Sequence, residues 1–237
     1  MQRYFSNELK DNKFKLNEDD IYHITRVMRM KTNDKIEVVF EKEVYLCSLE
    51  FCNSEINVNI VEKKQITDSN ICEIVLIIPL LKESKMDFIL QKATELGVSK
   101  IIPVIMERSV VKIDHERELK KIERWSKICK EASEQSMRVT IPVITEIKKL
   151  NDLVDENGLK LVCSTTEKKN TIKMALQSYK SCDKINIVIG PEGGLTLKEE
   201  EYLKQIGFIA VSLGNRIMRV ETVPVFILSV LNYENME

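Results

Sequence analysis

Long apolar runs are missing from this sequence. The longest, Ile74 to Leu81, is eight residues and is broken by Pro79, far short of the roughly 20 needed to cross a bilayer. The first ten residues, MQRYFSNELK, lack the apolar core of a signal peptide, so a cytoplasmic location is expected. Charge of one sign is absent as well. The 36 Lys+Arg and 37 Asp+Glu leave a net charge of −1, which gives no global pull toward nucleic acid or an anionic membrane. Any polyanion site must therefore be a local basic patch. There are two histidines, and the six cysteines at 47, 52, 72, 129, 163 and 182 form no C-x-x-C pair, which argues against zinc or another metal. Most of the cysteines have apolar neighbours, as in VYLCSL and LKLVCS, and buried reduced thiols are expected. No Walker A loop and no G-x-G-x-x-G is found, nor any internal repeat or low-complexity tract.

What is present is an ordinary balance, 43% hydrophobic and 31% charged over 237 residues, enough for one or two packed domains. Residues 1–68 read as a small β-rich domain, a compact barrel in outline. KIEVVF (35–40) and VYLCSLEF (44–51) flank a polar Glu41-Lys42-Glu43 gap of hairpin length, and EINVNIVE (55–62) alternates apolar and polar residues. Ahead of them, residues 19–30 predict an amphipathic helix with Ile21, Ile24, Val27 and Met28 on one face. Arg26, Arg29 and Lys31 form a basic cluster beside His23, either a solvated face or an RNA contact.

The polar stretch 65–70, QITDSN, is the expected linker. From 71 to 237 the style changes to alternating strands and helices, an α/β domain with a mainly parallel sheet. ICEIVLIIPLL (71–81) reads as a strand buried on both faces. Ser84 and Asp87 have N-cap and N3 spacing, and Met86, Ile89, Leu90, Ala93 and Leu96 then follow at helical spacing up to Gly97. KIIPVI (100–105), LKLVCST (159–165), INIVIG (185–190) and FIAVSLG (208–214) are further strands. A helix over 118–136 carries Leu119, Ile122, Trp125, Cys129 and Ala132 inward, and a closing helix spans 221–232 with Pro224 in its first turn.

Glycine is scarce, seven residues in the chain, yet three of the seven fall between Gly190 and Gly194 in INIVIGPEGGLT. Such a cluster admits positive φ and close approach of a ligand to the backbone. Thr196 and Glu199 have the spacing of a capping box that starts the next helix. A second strand runs into Gly214 in FIAVSLGNRIMRVET, followed by Arg216, Arg219, Glu221 and Thr222. Ligands of α/β sheets bind beyond the carboxyl ends of strands, so these two turns are candidates for the walls of one pocket. The stretch from Glu107 to Arg138 holds nine Lys+Arg, Arg108 and Arg124 among them. Its guanidinium groups suit phosphates, with a charged outer helix face as the alternative.

IGPEGGLTLKE, LGNRIMRVET and RWSKICKEASEQSMRVTIPVI resemble the signatures of the RsmE-type methyltransferases, SPOUT-class enzymes. That family methylates N3 of a uridine in 16S, small-subunit ribosomal RNA with S-adenosylmethionine. The resemblance spans almost the whole chain, including ERSVVK and the β-rich region, which would be a PUA-like RNA-binding domain at 1–68. It implies a trefoil-knotted SPOUT methyltransferase domain at 71–237 and an obligate homodimer. Two positions depart from the family pattern: Val223-Pro224 replaces an alanine after Glu-Thr, and Met137 replaces a glycine before Arg138.

On this resemblance the cofactor's cradle consists of Ile189, Gly190, Pro191, Gly193 and Gly194 with Leu213, Gly214, Ile217 and Met218. Methyl transfer to N3 of uracil demands positioning, loss of a proton and stabilisation of the charge left behind. Arg138 or Arg219 would stabilise the uracil anion or a phosphate, and Glu192 or Glu221 would orient it or accept the proton. Arg26, Arg29, Lys31, Arg108 and Arg124, with the basic helix at 120–130, would contact the 16S ribosomal RNA within the small ribosomal subunit. Two rivals remain: a SPOUT enzyme for another RNA or base atom, and a non-catalytic RNA-binding dimer.

Overall fold

The computed structural model describes residues 1–237 except 53–54, 66–71, 112–114, 154–156, 179–182 and 235–237. It divides into two compact units, one of residues 1–69 with 133–140, the other of 70–132 with 141–237. Segment 133–140, expected in the second domain, thus groups with the first. The expected linker at 65–70 lies, apart from Gln65, outside the described residues.

The first unit is a mixed sheet. Its described strands are β1 (Arg3–Phe5), β2 (Leu9–Lys10), β3 (Lys13–Phe14), β4 (Lys35–Phe40), β5 (Glu43–Cys52) and β6 (Glu55–Lys64), ordered β1-β4-β5-β6-β3-β2. Only β1 and β4 pair in parallel; the other neighbours are antiparallel. The β4–β5 hairpin is tighter than expected, because Phe40 pairs with Glu43. Glu41 and Lys42 alone make the turn, both at positive φ (51° and 65°). That is the twist a two-residue hairpin requires, although neither residue favours it. Tyr4, Phe14, Ile24, Ile36, Val38, Cys47, Leu49 and Val58 form this unit's core.

The helix expected over 19–30 begins as α1 (Glu18–Tyr22), capped by the Asn17 side chain, and continues as a π-helical turn over His23–Val27. The Met28 amide donates to the His23 carbonyl at 2.9 Å, five residues back. The wider winding rotates later residues off the α-helical stripe. Ile24 is therefore fully buried, but Val27 and Met28, expected on the same face, are 58% and 40% exposed. Arg29 ends the turn at φ 53°.

The second unit is built on strands β7 (Glu73–Pro79), β8 (Lys100–Ile105), β9 (Val143–Ile144), β10 (Lys148–Lys149), β11 (Leu159–Cys163), β12 (Lys184–Ile189) and β13 (Ile209–Val211). The order is β10-β8-β7-β12-β11-β13, with β9 also on β8, and every pairing is parallel. Its helices are α2 (Glu83–Glu95), α3 (His115–Gln135), α4 (Ile172–Ser178), α5 (Leu197–Gln205) and α6 (Thr222–Glu234). Side chains alternate across a strand, and the continuous apolar runs divide accordingly. Ile74, Leu76 and Ile78 pack with Met86, Ile89, Leu90, Trp125, Cys129, Ile227 and Leu228. Val75 and Ile77 pack on the opposite face with Leu150, Leu203 and Phe208. Both faces are covered, which is why these strands carry no polar stripe.

Three local expectations fail across the two units. Ser84 does not cap α2. The helix starts at Glu83 with Lys82 as its N-cap and no side-chain cap, and Met86 and Ile89 are buried in the core. Asp87, expected as the capping partner, instead accepts hydrogen bonds from Arg124. Leu119 is 69% exposed, since core contact on α3 begins at Ile122. Among the described cysteines, all thiols, Cys47 and Cys129 are buried but Cys52 is exposed. Cys52 sits at the end of β5, where Asn57 Nδ2 donates to its sulfur at 3.7 Å.

Candidate cofactor pocket

Strands β11, β12 and β13 end on the same rung. Cys163 pairs with Ile189 on one side and Val211 on the other. Three loops therefore leave the carboxyl edge of the sheet side by side, where α/β proteins bind ligands. Together they enclose a cavity of about 520 Å³, walled by residues 163–165, 189–195 and 212–220 with Lys85, Lys168, Glu200 and Val223. Ligand cavities typically span roughly 300–1,000 Å³.

Glycine shapes two of the three walls. Gly194 and Gly214 sit at φ 71° and 113°, a region that side-chain-bearing residues enter only with strain. Around them the turn is fastened from several sides. Arg108 Nη1 donates to the Gly193 carbonyl at 2.7 Å. Thr196 and Glu199 form the full capping box of α5, and the second Glu199 oxygen accepts the Glu107 amide at 2.8 Å. In the third wall, Ser164 Oγ donates to Glu200 at 3.1 Å, and the Glu167 carboxylate accepts three successive amides from Lys168, Lys169 and Asn170.

All nine residues expected to cradle the cofactor line this cavity, as do Glu192 and Arg219. Glu221 joins them through Lys85, whose ammonium contacts the Glu192 carboxylate and lies 3.3 Å from Glu221 Oε2. The Glu221 carboxyl is held below its ordinary range, first by its own backbone N–H and then by Lys85, so it is a weak proton acceptor. Arg138 lies in the first unit. There Arg3, bound to Glu37 through Nε at 2.9 Å and Nη2 at 2.6 Å, directs Nη1 to the Met137 and Arg138 carbonyls. Met137 has φ 60°, the conformation that glycine would adopt without strain.

The expected RNA contacts separate into two kinds. Arg26, Arg29 and Lys31 are exposed. Arg124 is committed to carboxylates, in a forked pair with Asp87 and at 3.1 Å from Glu83, and these raise its pKa further, Asp87 foremost. Arg108 supports the glycine turn. The wall at 163–165 was missed in the sequence, although the end of LKLVCST marks it by the same strand-end rule that marks the other two. Lys85 carried no signal at all: it sits in the first turn of a helix that follows a different strand.

Comparison with known proteins agrees with this geometry. An RNA methyltransferase domain family matches residues 67–232, and an RNA methyltransferase PUA domain family matches residues 16–55. A protein of Bacillus subtilis (strain 168) named ribosomal RNA small subunit methyltransferase E is 33% identical, over 99% of this chain and 97% of its own length. Its namesake from Aquifex aeolicus is 34% identical over 98% and 99%. A crystal structure of a ribosomal RNA small subunit methyltransferase E from Neisseria gonorrhoeae bound to S-adenosyl methionine superposes with a TM-score of 0.86, at 30% identity over 98% of this chain and 97% of that one. A domain match over most of the chain and one-third identity from end to end place it in a family: it belongs to the ribosomal RNA small subunit methyltransferase E family of RNA methyltransferases.

Proposed function

We propose that this protein transfers a methyl group from S-adenosylmethionine to N3 of a uridine in 16S ribosomal RNA. The observation that carries this reading is the cavity at the aligned ends of β11, β12 and β13. It has the size, the exposed turn backbone and the apolar wall, from Ile189, Leu213 and Val223, suited to an adenosine. When bound, the cofactor supplies an electrophilic methyl on a sulfonium. The chain's own contribution is placement and electrostatics. The glycine turns offer backbone donors and acceptors to a base edge. Arg219 at the cavity and Arg138 in the first unit are the candidates to stabilise the uracil anion or a phosphate. Glu192 and Glu221 orient these groups, and the low pKa of Glu221 favours orientation over proton acceptance.

Arg26, Arg29 and Lys31 serve as phosphate contacts of a PUA-like barrel, and Arg108 and Arg124 help indirectly, by holding a turn and a helix pair. The family resemblance extends the proposal to a trefoil knot in the second unit, a homodimer and a cytoplasmic enzyme acting on the small ribosomal subunit. Strand order supports the knot, since β12 lies between β7 and the earlier β11. No helix among the described residues is long and apolar enough to cross a membrane.

Calorimetry with S-adenosylmethionine, followed by mass spectrometry of 16S ribosomal RNA from a gene-deletion strain, tests the reading. The expected outcome is cofactor binding and a lost methyluridine, restored by purified protein on assembled small subunits. Absence of cofactor binding would favour the non-catalytic RNA-binding dimer. Binding with an intact 16S methylation pattern would favour another RNA.

A further inference from the structure

We propose that Lys85 is a positioning residue of the cofactor pocket, joining its two glycine-bearing turns through Glu192 and Glu221. This rests on the reading of the cavity as an S-adenosylmethionine site. Lys85 lies in the first turn of α2, which follows β7, and β7 is the sheet neighbour of β12. The helix start is thereby brought beside the loop that leaves β12. The ammonium meets Glu192 of the 190–194 turn and stands 3.3 Å from Glu221, at the end of the 213–221 turn. Lys85 also lines the cavity itself.

Charge explains why the residue matters. The hydrogen bond to Glu192 foremost, with the Glu221 carboxylate 3.3 Å away, holds the Lys85 proton more tightly than usual. The Glu221 carboxyl is held ionised. One cation thus separates two carboxylates, and without it the two turns carry facing negative charges. Lys85 and Glu192 are 31% and 42% exposed, so neither ion pair adds much to global stability. The consequence falls on the distance between the turns. A pocket whose walls are already in place binds more tightly because their ordering is not charged against the ligand.

The test compares Lys85→Met, which keeps the stem and removes the charge, with Lys85→Arg, which can still reach both carboxylates. By calorimetry, Lys85→Met is expected to weaken S-adenosylmethionine about tenfold, while Lys85→Arg stays within about threefold of wild type. In turnover assays the KM for S-adenosylmethionine should rise more than kcat falls. Melting temperatures should move by no more than about 4 °C. The Glu192→Gln, Glu221→Gln double variant should weaken binding too, and adding Lys85→Met to it should cost less than in the wild-type background. Wild-type affinity in Lys85→Met overturns the proposal, as does an equal loss in Lys85→Arg. If the wild-type protein binds no S-adenosylmethionine, the cofactor reading falls and this inference falls with it. If Lys85→Met fails to fold, the glutamine double variant decides: unchanged affinity there overturns the proposal.

Discussion

Glu37 shows how much one side chain can organise. It is 5% exposed, as is Arg3, and its two oxygens serve different cations. Oε2 accepts from Arg3 at 2.6 Å and Oε1 from Lys64 at 2.5 Å. Burial works to raise its pKa, but hydrogen bonds from Lys64 and Arg3, with their charges, outweigh burial and lower it. Removing one partner of a buried pair strands the other charge. Glu37→Ala should therefore destabilise the protein by about 3–5 kcal/mol in urea unfolding, and Lys64→Ala by much less, since that side chain is 32% exposed. The pH dependence has a definite sign. A carboxyl with a depressed folded pKa stabilises above the unfolded value near 4.3, and this contribution is lost as pH falls through the lower folded value. Wild-type stability should drop more steeply below about pH 4 than that of Glu37→Gln. Parallel acid limbs would show that Glu37 is not the group that titrates. None of this was legible in the sequence: Glu37 sits in a strand whose pattern identified only the strand, and Arg3 is an isolated cation near the start. Met137 stood out in the sequence only as a departure from the family's glycine; the left-handed backbone at that place comes from the structure.

At the scale of elements, signals that rest on local chemistry reported well, and those that depend on partners did not. The capping box at Thr196 formed as its spacing implies, because both halves lie within one turn. The apolar runs became strands covered on both faces, because a run without alternation suits only such a sheet. Ser84 had equally good spacing and failed, because the helix starts one residue before it, at Glu83. The π turn after Tyr22 had no signature, and it displaced Val27 and Met28 from the expected stripe. The capping box also bears on the pocket, as it fixes where the loop after β12 ends. Thr196→Ala should cost about 1 kcal/mol. Glu199→Ala should cost more, because the Glu107 amide loses its acceptor as well. Thermal melts of the two variants check the order; equal losses would mean that the Glu107 contact contributes nothing.

Over the whole molecule the change from alternating to continuous apolar runs near residue 70 separated two kinds of sheet, and the structure has both. Strand order, the aligned ends of β11, β12 and β13, and the return of 133–140 to the first unit were not legible, because they are set by pairings between distant segments. The same limit applies to charge. A net charge of −1 conceals which cations are available to RNA, and only the fold sorts Arg124, engaged with Asp87 and Glu83, from the exposed Arg26, Arg29 and Lys31. Each phosphate contact releases counterions, so the logarithm of affinity falls linearly with that of salt, with a slope near −0.9 per contact on duplexes and −0.7 on single strands. Replacing Arg26, Arg29 and Lys31 together by Ser should weaken binding to 16S ribosomal RNA and reduce that slope by about 2–3. Arg124→Ser should leave the slope essentially unchanged, well short of the roughly 0.7–0.9 that one lost phosphate contact removes, because its charge is already compensated. Affinity for S-adenosylmethionine should be unchanged in the triple variant, since the described residues that line the cavity belong to the second unit. An unaltered slope in the triple variant would make these three cations ordinary solvated charges and move the RNA contact elsewhere on the chain.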